Sequence, residues 1–531
     1  MDFWEEYKDY LDEGPYSVKL LTSNLAPQSI ASNPESIQIK DLKYQLWPFQ
    51  RKILEEMGES TLILGLPTGL GKTYLAGAKL KKDSKDKPIR VLFLVPSVPL
   101  GVQQTLFASE KLGVDAFFVS GALSPKYRRS LRVWNNSYVV ATPQTFYNDV
   151  LSQQDRLIGN SRKQEDPIEY LKDEINDFPF DIVVADECQR YIGETDGHAI
   201  LLAARASGKK ILALSATPQL HNPERLRELE RIFKEIRTFS VDDPDIKRHI
   251  PDRLLVLEQV NPPSTLLRVY RSLGKLISAY SFRIRKRHGP GHSRYCNKHP
   301  LCRALLAIRM LRMRLMEDGA SSVKDYKTWG FRDLRNKRKE LDGKTIYKVY
   351  QEALKEHTNH KLDASEAILQ REIYNKAIVY IESVEGAKEL AGRLQKRYGM
   401  GDVACLVGKG DMSMDQQSSA LLQFREKASI LVSTSVGEEG LDIPTADLEV
   451  WVDPPSNPRK WIQRFGRVLR QPGEKKVARV YAIVTKGTHE KGRLLSVKKE
   501  VEDTYSFTQR MEVNNLRVLN EGQKRLSEYL R

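Results

Sequence analysis

The segment Leu66-Pro67-Thr68-Gly69-Leu70-Gly71-Lys72-Thr73 follows an apolar run at residues 61–64 and precedes a helix-compatible stretch from Tyr74. Strand, glycine-rich turn and helix in this order make a phosphate cradle, or P-loop. Its glycines let backbone amides turn toward phosphate oxygens, and the positive end of the next helix points the same way. Lys72 would reach the β- and γ-phosphates, and Thr73 would offer a hydroxyl to Mg²⁺. Pro67, Thr68, Gly69, Leu70, Gly71, Lys72 and Thr73 are therefore the expected nucleotide-binding residues, with Leu66 in place of the usual first glycine. Such a site needs a second acid at the end of a buried strand. Asp186-Glu187, directly after Asp181-Ile182-Val183-Val184-Ala185, supplies it. Asp186 would hold Mg²⁺ with Thr73, and Glu187 would accept a proton from the water that attacks the γ-phosphate of ATP.

The elements that must position these groups can be read from the apolar pattern. Short β-branched runs at residues 61–64, 91–95, 116–119, 138–141, 181–185 and 211–214 alternate with longer stretches of helical spacing. That alternation marks a parallel sheet covered on both faces. It restarts at residues 377–381, 403–407, 430–433, 448–452 and 477–484, giving a second α/β domain. Between the two, the strand pattern fades after residues 254–260 and gives way to helices. Ser264 is placed to cap one of them after Pro262-Pro263. Another starts near Leu301, with Leu301, Leu305, Ile308 and Leu315 on one face and Arg312 interrupting it. Asp363 is expected to cap the helix leading into the second domain. The expected division is an acidic helical segment 1–43, a first α/β domain 44–239, a basic helical insertion 240–368, a second α/β domain 369–490 and a helical extension 491–531.

With 531 residues and about 150 per domain, one small binding module is excluded. Lys and Arg number 85 against 69 Asp and Glu, for a net charge of +16. No Asp or Glu lies between Glu258 and Glu317, an interval that holds thirteen Lys or Arg residues interleaved with Tyr270, Tyr280, Phe282 and Tyr295. A one-signed stretch of this kind attracts a polyanion and gains affinity by counterion release, which points to nucleic acid, with Arg283, Arg285 and Arg287 as contacts. The apolar runs are far shorter than the roughly 18 residues of a membrane span. The start of the chain is acidic, unlike a signal peptide. With only four cysteines there is no disulfide framework, so an intracellular, cytoplasmic or nucleoid-associated monomer without membrane contact is expected.

Further residues join the set: Gln50 ahead of the P-loop, Ser215-Ala216-Thr217 after a strand, and Gln463-Arg464-Phe465-Gly466-Arg467-Val468-Leu469-Arg470 near the end. With Ala141-Thr142-Pro143-Gln144-Thr145 and Thr434-Ser435-Val436-Gly437-Glu438-Glu439-Gly440-Leu441-Asp442, they resemble superfamily 2 helicases, and most closely the Hef/FANCM branch related to Dicer and the RIG-I-like receptors. The resemblance implies two RecA-like, doubly wound motor domains with a helical insertion between them. Gln50 would contact adenine, Ser215, Ala216 and Thr217 would couple ATP state to domain movement, and Gly440 and Asp442 would join the nucleotide pocket. Gln463, Arg467 and Arg470 would face the phosphates from the second domain, where a guanidinium arriving in trans is worth about 10³–10⁵ in rate. Pro96, Ser97, Thr142, Pro143, Gln144 and Thr434 would line a track for one strand, positioning it without reading sequence. The chain departs from the pattern at Cys188-Gln189, where Ala-His is common, and at Val98, Phe465 and Leu469.

The implied function is an ATP-dependent helicase or translocase on branched or forked DNA in repair or replication-fork processing. A double-stranded RNA translocase or sensor, and a nucleic-acid clamp with little ATPase activity, are the alternatives. The chain ends at Arg531 without the nuclease domain of Hef, so a separate nuclease or repair partner is expected. His288, His292, Cys296, His299 and Cys302 are zinc-type ligands crowded into fifteen residues, but their spacing matches no standard finger and suits phosphate contact equally. Cys188 and Cys405 are read as small core residues.

Overall fold

Fourteen short strands form two sheets of seven, and both are fully parallel. The first comprises β1 (Leu62–Gly65), β2 (Val91–Leu94), β3 (Phe117–Val119), β4 (Tyr138–Ala141), β5 (Ile182–Asp186), β6 (Lys210–Ser215) and β7 (Glu235–Thr238). Its order is β3-β4-β2-β5-β6-β1-β7. The second comprises β8 (Arg253–Val260), β9 (Ala377–Tyr380), β10 (Val403–Leu406), β11 (Ile430–Ser433), β12 (Leu448–Trp451), β13 (Ala478–Thr485) and β14 (Arg510–Asn514). Its order is β10-β11-β9-β12-β13-β8-β14. This computed structural model describes residues 3–13, 33–58, 61–67, 69–121, 123–172, 174–175, 178–216, 223–240, 242–248, 253–289, 300–317, 359–408, 410–437, 443–468, 478–505 and 510–514. β1, β2, β4 and β5 are buried along their whole length, because helices cover both faces.

The expected division of the chain needs three changes. Residues 253–260 lie inside the stretch read as insertion, yet β8 pairs with β13 and β14 deep in the second sheet. The chain thus enters the second lobe, leaves it for the helices, and returns. The last segment is also more than helical: the helix Glu490–Tyr505 is followed by β14 beside β8. The acidic first helix, Phe3–Glu13, packs on the second lobe. Its Tyr7 hydroxyl donates to Gln423 Oε1 at 3.0 Å and accepts from the Cys405 amide at 2.8 Å.

The helices Ser264–His288 and Pro300–Glu317 pack on each other through Leu266, Val269, Leu273 and Ile284 against Leu305, Ile308, Leu311 and Leu315. Pro263, not Ser264, occupies the cap of the first helix. The helix returning to the second lobe, His360–Arg371, is capped by Asn359, whose Oδ1 accepts from the Leu362 amide at 3.3 Å. Asp363 instead lies inside that helix and accepts from Arg393 at 2.9 Å. Among the described residues no helix is long and apolar enough to cross a membrane.

Lys361, in the first turn of this returning helix, is fully buried. Its ammonium donates to Glu490 Oε1 at 2.6 Å, to the Val452 carbonyl at 3.0 Å and to Asp453 Oδ1 at 3.4 Å. One cation thereby ties the returning helix to the end of β12 and the start of the Glu490–Tyr505 helix. Removing it leaves two buried carboxylates short of a counter-charge, a loss of about 3–5 kcal/mol. Lys361→Ala is therefore expected to lower the urea midpoint markedly, followed by tryptophan fluorescence; an unchanged midpoint would refute this role.

Candidate functional site

The carboxyl ends of β1, β5 and β6 lie side by side, since β6 separates β5 from β1. The P-loop leaves β1 at Gly65, and the Leu66 amide donates to the Ser215 carbonyl at the end of β6, at 2.9 Å. Gly69 and Gly71 adopt φ of +89° and +80°, a region open to glycine and costly for other residues. Lys72 opens the helix Lys72–Asp83, and its ammonium donates to the Leu66 carbonyl across the loop at 3.0 Å. Thr73 Oγ1 lies 3.5 Å from Gln104 Nε2, which donates to it.

Gln50, 5% exposed, braces this loop from behind. Its Nε2 donates to the Leu70 carbonyl at 2.9 Å, and its Oε1 accepts from the Trp47 amide at 2.8 Å. A Cβ at position 71 would sit 2.4 Å from Gln50 Nε2. Both ends of the amide that the resemblance directs toward adenine are thus engaged with backbone. The sequence does carry a signal for this brace, because Pro48 at the helix start and Gln50 two residues on fit a capping arrangement.

Asp186 ends β5, is 7% exposed, and accepts from the Glu187 amide at 3.0 Å. Glu187 has φ of +53°, one of two non-glycine residues in the left-handed region among those described. Such a conformation costs about 1–3 kcal/mol. The compensation is local: Gln189 Nε2 donates to Glu187 Oε2, and Gln189 Oε1 accepts from Ser215 Oγ at 2.6 Å. A hydrogen bond to a charged carboxylate is worth about 1.5–3 kcal/mol, enough to hold the turn. Gln189, which departs from the usual histidine, therefore links the acid to Ser215, and Ser215 links onward to the P-loop. Ala216 is buried beside it. Cys188 is buried too, and burial, reinforced by Glu187 and Asp186, pushes its thiol well above the usual range. Burial likewise holds the Cys405 thiol up at about 12. Both fit the reading as core residues.

Pro96 and Ser97 follow β2, and Thr142, Pro143 and Gln144 follow β4. The two strands are neighbours, so both groups meet at one edge of the sheet. Ser97 and Thr142 each precede a helix, Val98–Phe107 and Pro143–Phe146, and Thr142 Oγ1 bonds Thr145 Oγ1 at 2.8 Å. Thr434 occupies the corresponding place after β11 and is buried. Gln463 lies on the helix Pro458–Phe465, and Arg467 on the turn Gly466–Val468. Both are buried, and Arg467 Nη1 donates to the Ile443 carbonyl at 3.4 Å. Arg464, between them, serves the lobe itself: it donates to the Asp453 carbonyl and to Glu382, and stacks over Tyr380. Phe465 is core, edge-on to Trp451 at 5.9 Å.

Arg283, Arg285 and Arg287 are exposed on the Ser264–His288 helix, next to Phe282, which is 69% exposed. Thr68, Thr217, Gly440, Asp442, Leu469 and Arg470 lie outside the described residues, as do His292, Cys296 and His299. Cys302 packs in the helical-pair core, and no group of three or more His, Cys, Asp or Glu suited to a metal occurs among the described residues.

Residues 36–220 match the family described as type III restriction enzyme, res subunit, and residues 360–471 match the helicase conserved C-terminal domain. The chain is 24% identical to a putative ATP-dependent RNA helicase of Methanocaldococcus jannaschii, over 85% of this chain and 59% of that protein. It is also 24% identical to the ATP-dependent DNA helicase mph1 of Neurospora crassa, over 92% and 46%, and to the DEAD-box ATP-dependent DNA helicase Fancm of Drosophila melanogaster, over 83% and 33%. The helicase domain of Pyrococcus furiosus Hef shares the fold, with a TM-score of 0.54 at 22% identity over 84% of this chain and 97% of that one. The chain belongs to the Hef/FANCM branch of superfamily 2 helicases. It spans about half the length of the curated relatives it matches. For this Hef/FANCM-type chain, the brace behind the P-loop is directly testable. Gly71→Ala should lower thermal stability through both its φ, about 1–2 kcal/mol, and its collision with Gln50. Adding Gln50→Ala should restore the second part only, and a strictly additive double variant would show that the two residues do not touch.

Proposed function

We propose that this chain is an ATP-driven nucleic-acid helicase or translocase acting on branched or forked DNA. The observation that carries the reading is the hydrogen-bonded relay from Glu187 through Gln189 to Ser215, and from the Ser215 carbonyl to the Leu66 amide of the P-loop. Such a relay lets the acid next to the γ-phosphate sense, and be sensed by, the end of β6. The resemblance gives that segment the task of coupling.

Lys72 would exchange its contact with the Leu66 carbonyl for phosphate oxygens, and Glu187 would take the proton of the attacking water. Thr73 and Asp186 suit Mg²⁺, since they offer hard oxygen donors at adjacent strand ends and Asp186 keeps a carboxylate there despite burial. When bound, that ion neutralises charge on the β- and γ-phosphates. Gln463, Arg467 and Arg470 would bring their polar groups from the second lobe, so that turnover requires the lobes to close. Pro96, Ser97, Thr142, Pro143, Gln144 and Thr434 would hold one strand at the strand ends, with Arg283, Arg285 and Arg287 on the basic helices gripping the rest of the substrate. The printed names of the relatives include both RNA and DNA helicases, so comparing phosphate release with forked DNA and with duplex RNA decides the substrate; greater stimulation by duplex RNA would favour the sensor-type alternative.

Lys72→Ala or Glu187→Gln should abolish nucleic-acid-stimulated phosphate release, and full turnover in either variant sinks the assignment. Gln189→Ala is expected to leave nucleotide affinity intact while cutting stimulated turnover about ten- to a hundredfold, the loss of one hydrogen bond to a charged group.

Replacing Arg283, Arg285 and Arg287 with Gln together should weaken DNA binding and flatten the slope of log affinity against log salt by up to about three, one per phosphate released. A slope that does not move would place the substrate elsewhere.

A further inference from the structure

Arg312 breaks the apolar stripe of its helix. In the structure its guanidinium does not swing out to solvent. It lies over the Tyr270 ring, 4.0 Å from the centroid, in room left by Gly274, where a Cβ would come within 3.4 Å of the guanidinium carbon. Its Nε is buried and makes no hydrogen bond. The guanidinium borders a cavity of about 240 Å³ at the seam between the helical pair and the second lobe. Arg309, one turn earlier and exposed, contributes from the same helix, and His489 and Arg493 contribute from the second lobe. Tyr270 meets the His489 ring edge-on at 6.4 Å.

The acid on this wall does not neutralise the arginines. Glu490 has one carboxylate oxygen 2.6 Å from Lys361 Nζ and the other accepting from the Thr485 amide at 2.7 Å. The remaining lining charge is positive and comes from two separate parts of the molecule. A stacked guanidinium is fixed in plane and presents its donors to a planar or tetrahedral oxyanion, the geometry in which arginine outperforms lysine.

We infer that this cavity is a phosphate-binding site, held by Arg309 and Arg312 of the helical pair and Arg493 of the second lobe. A phosphate seated there fastens the helices to the lobe, so that engaging substrate fixes the insertion's posture relative to the motor. The group comes from a nucleic-acid strand or from a free polyphosphate, and only the first source rests on the function proposed above.

The test uses the full chain with Arg309→Gln and Arg312→Gln combined. If the source is a strand, forked-DNA affinity falls and the salt slope flattens by about one to two. If it is free, inorganic pyrophosphate raises the melting temperature of a Lys72→Ala chain, whose P-loop is disabled, and the added double substitution removes that protection. Either result supports the site, and an unchanged slope together with unchanged pyrophosphate protection overturns it. Arg309→Gln alone, at an exposed position, should give a smaller change in the same readout and answers the question if the double variant does not fold. Turnover of ATP without nucleic acid should be unaffected in these variants. Persistence of turnover in Lys72→Ala would instead defeat the motor reading and leave this result standing.

Discussion

The bond between Ser215 Oγ and Gln189 Oε1, 2.6 Å long, is the contact on which the first lobe's chemistry depends. It exists because parallel pairing puts the ends of β1, β5 and β6 in one row, with β6 in the middle. A glutamate forced into a left-handed turn at the end of β5 would relax if its carboxylate had no partner. Gln189 supplies one, and Ser215 holds Gln189. Because the Ser215 carbonyl also receives the Leu66 amide, a shift at any of these points is felt at the others. The replacement of histidine by glutamine preserves the link, since an amide can donate and accept at once.

The second lobe is organised differently from the simplest reading of its sequence. Its sheet is begun by β8 before the helical pair and resumed by β9 after it, so the insertion is rooted inside that lobe. Lys361 stands where the chain returns, and its buried ion contacts fix the returning helix to Asp453 and Glu490. Glu490 also faces the arginine-lined cavity, which makes the root of the insertion and the anion site parts of one construction. The first helix closes the far side of the same lobe through Tyr7.

Charge in this protein is segregated by task. Arg464 is consumed by the lobe's own carbonyl and carboxylate groups, although it lies in the same motif as Gln463 and Arg467. Arg283, Arg285 and Arg287 remain at the surface, where Ile284 alone of that turn is buried. Arg312 occupies a third condition, stacked and half-buried at an internal seam.

The P-loop, the Asp186-Glu187 pair and the alternation of strands and helices were all readable from residue types and spacing. Each is a local pattern: glycines are needed where φ turns positive, carboxylates where a buried strand ends, and β-branched runs where a strand is covered on both faces. The basic interval between Glu258 and Glu317 was equally plain, because charge is counted along the chain. The membership of β8 and β14 in the second sheet was not readable, since strand pairing across more than a hundred residues leaves no local trace in a single sequence. Nor was the choice of Asn359 over Asp363 as the helix cap, which turns on where the helix starts and on the pull of Arg393. Sequence by itself determined which groups could handle phosphate. Only the tertiary structure decided which of them touch, because hydrogen bonds and ion pairs are set by distances that folding, and not spacing along the chain, brings about.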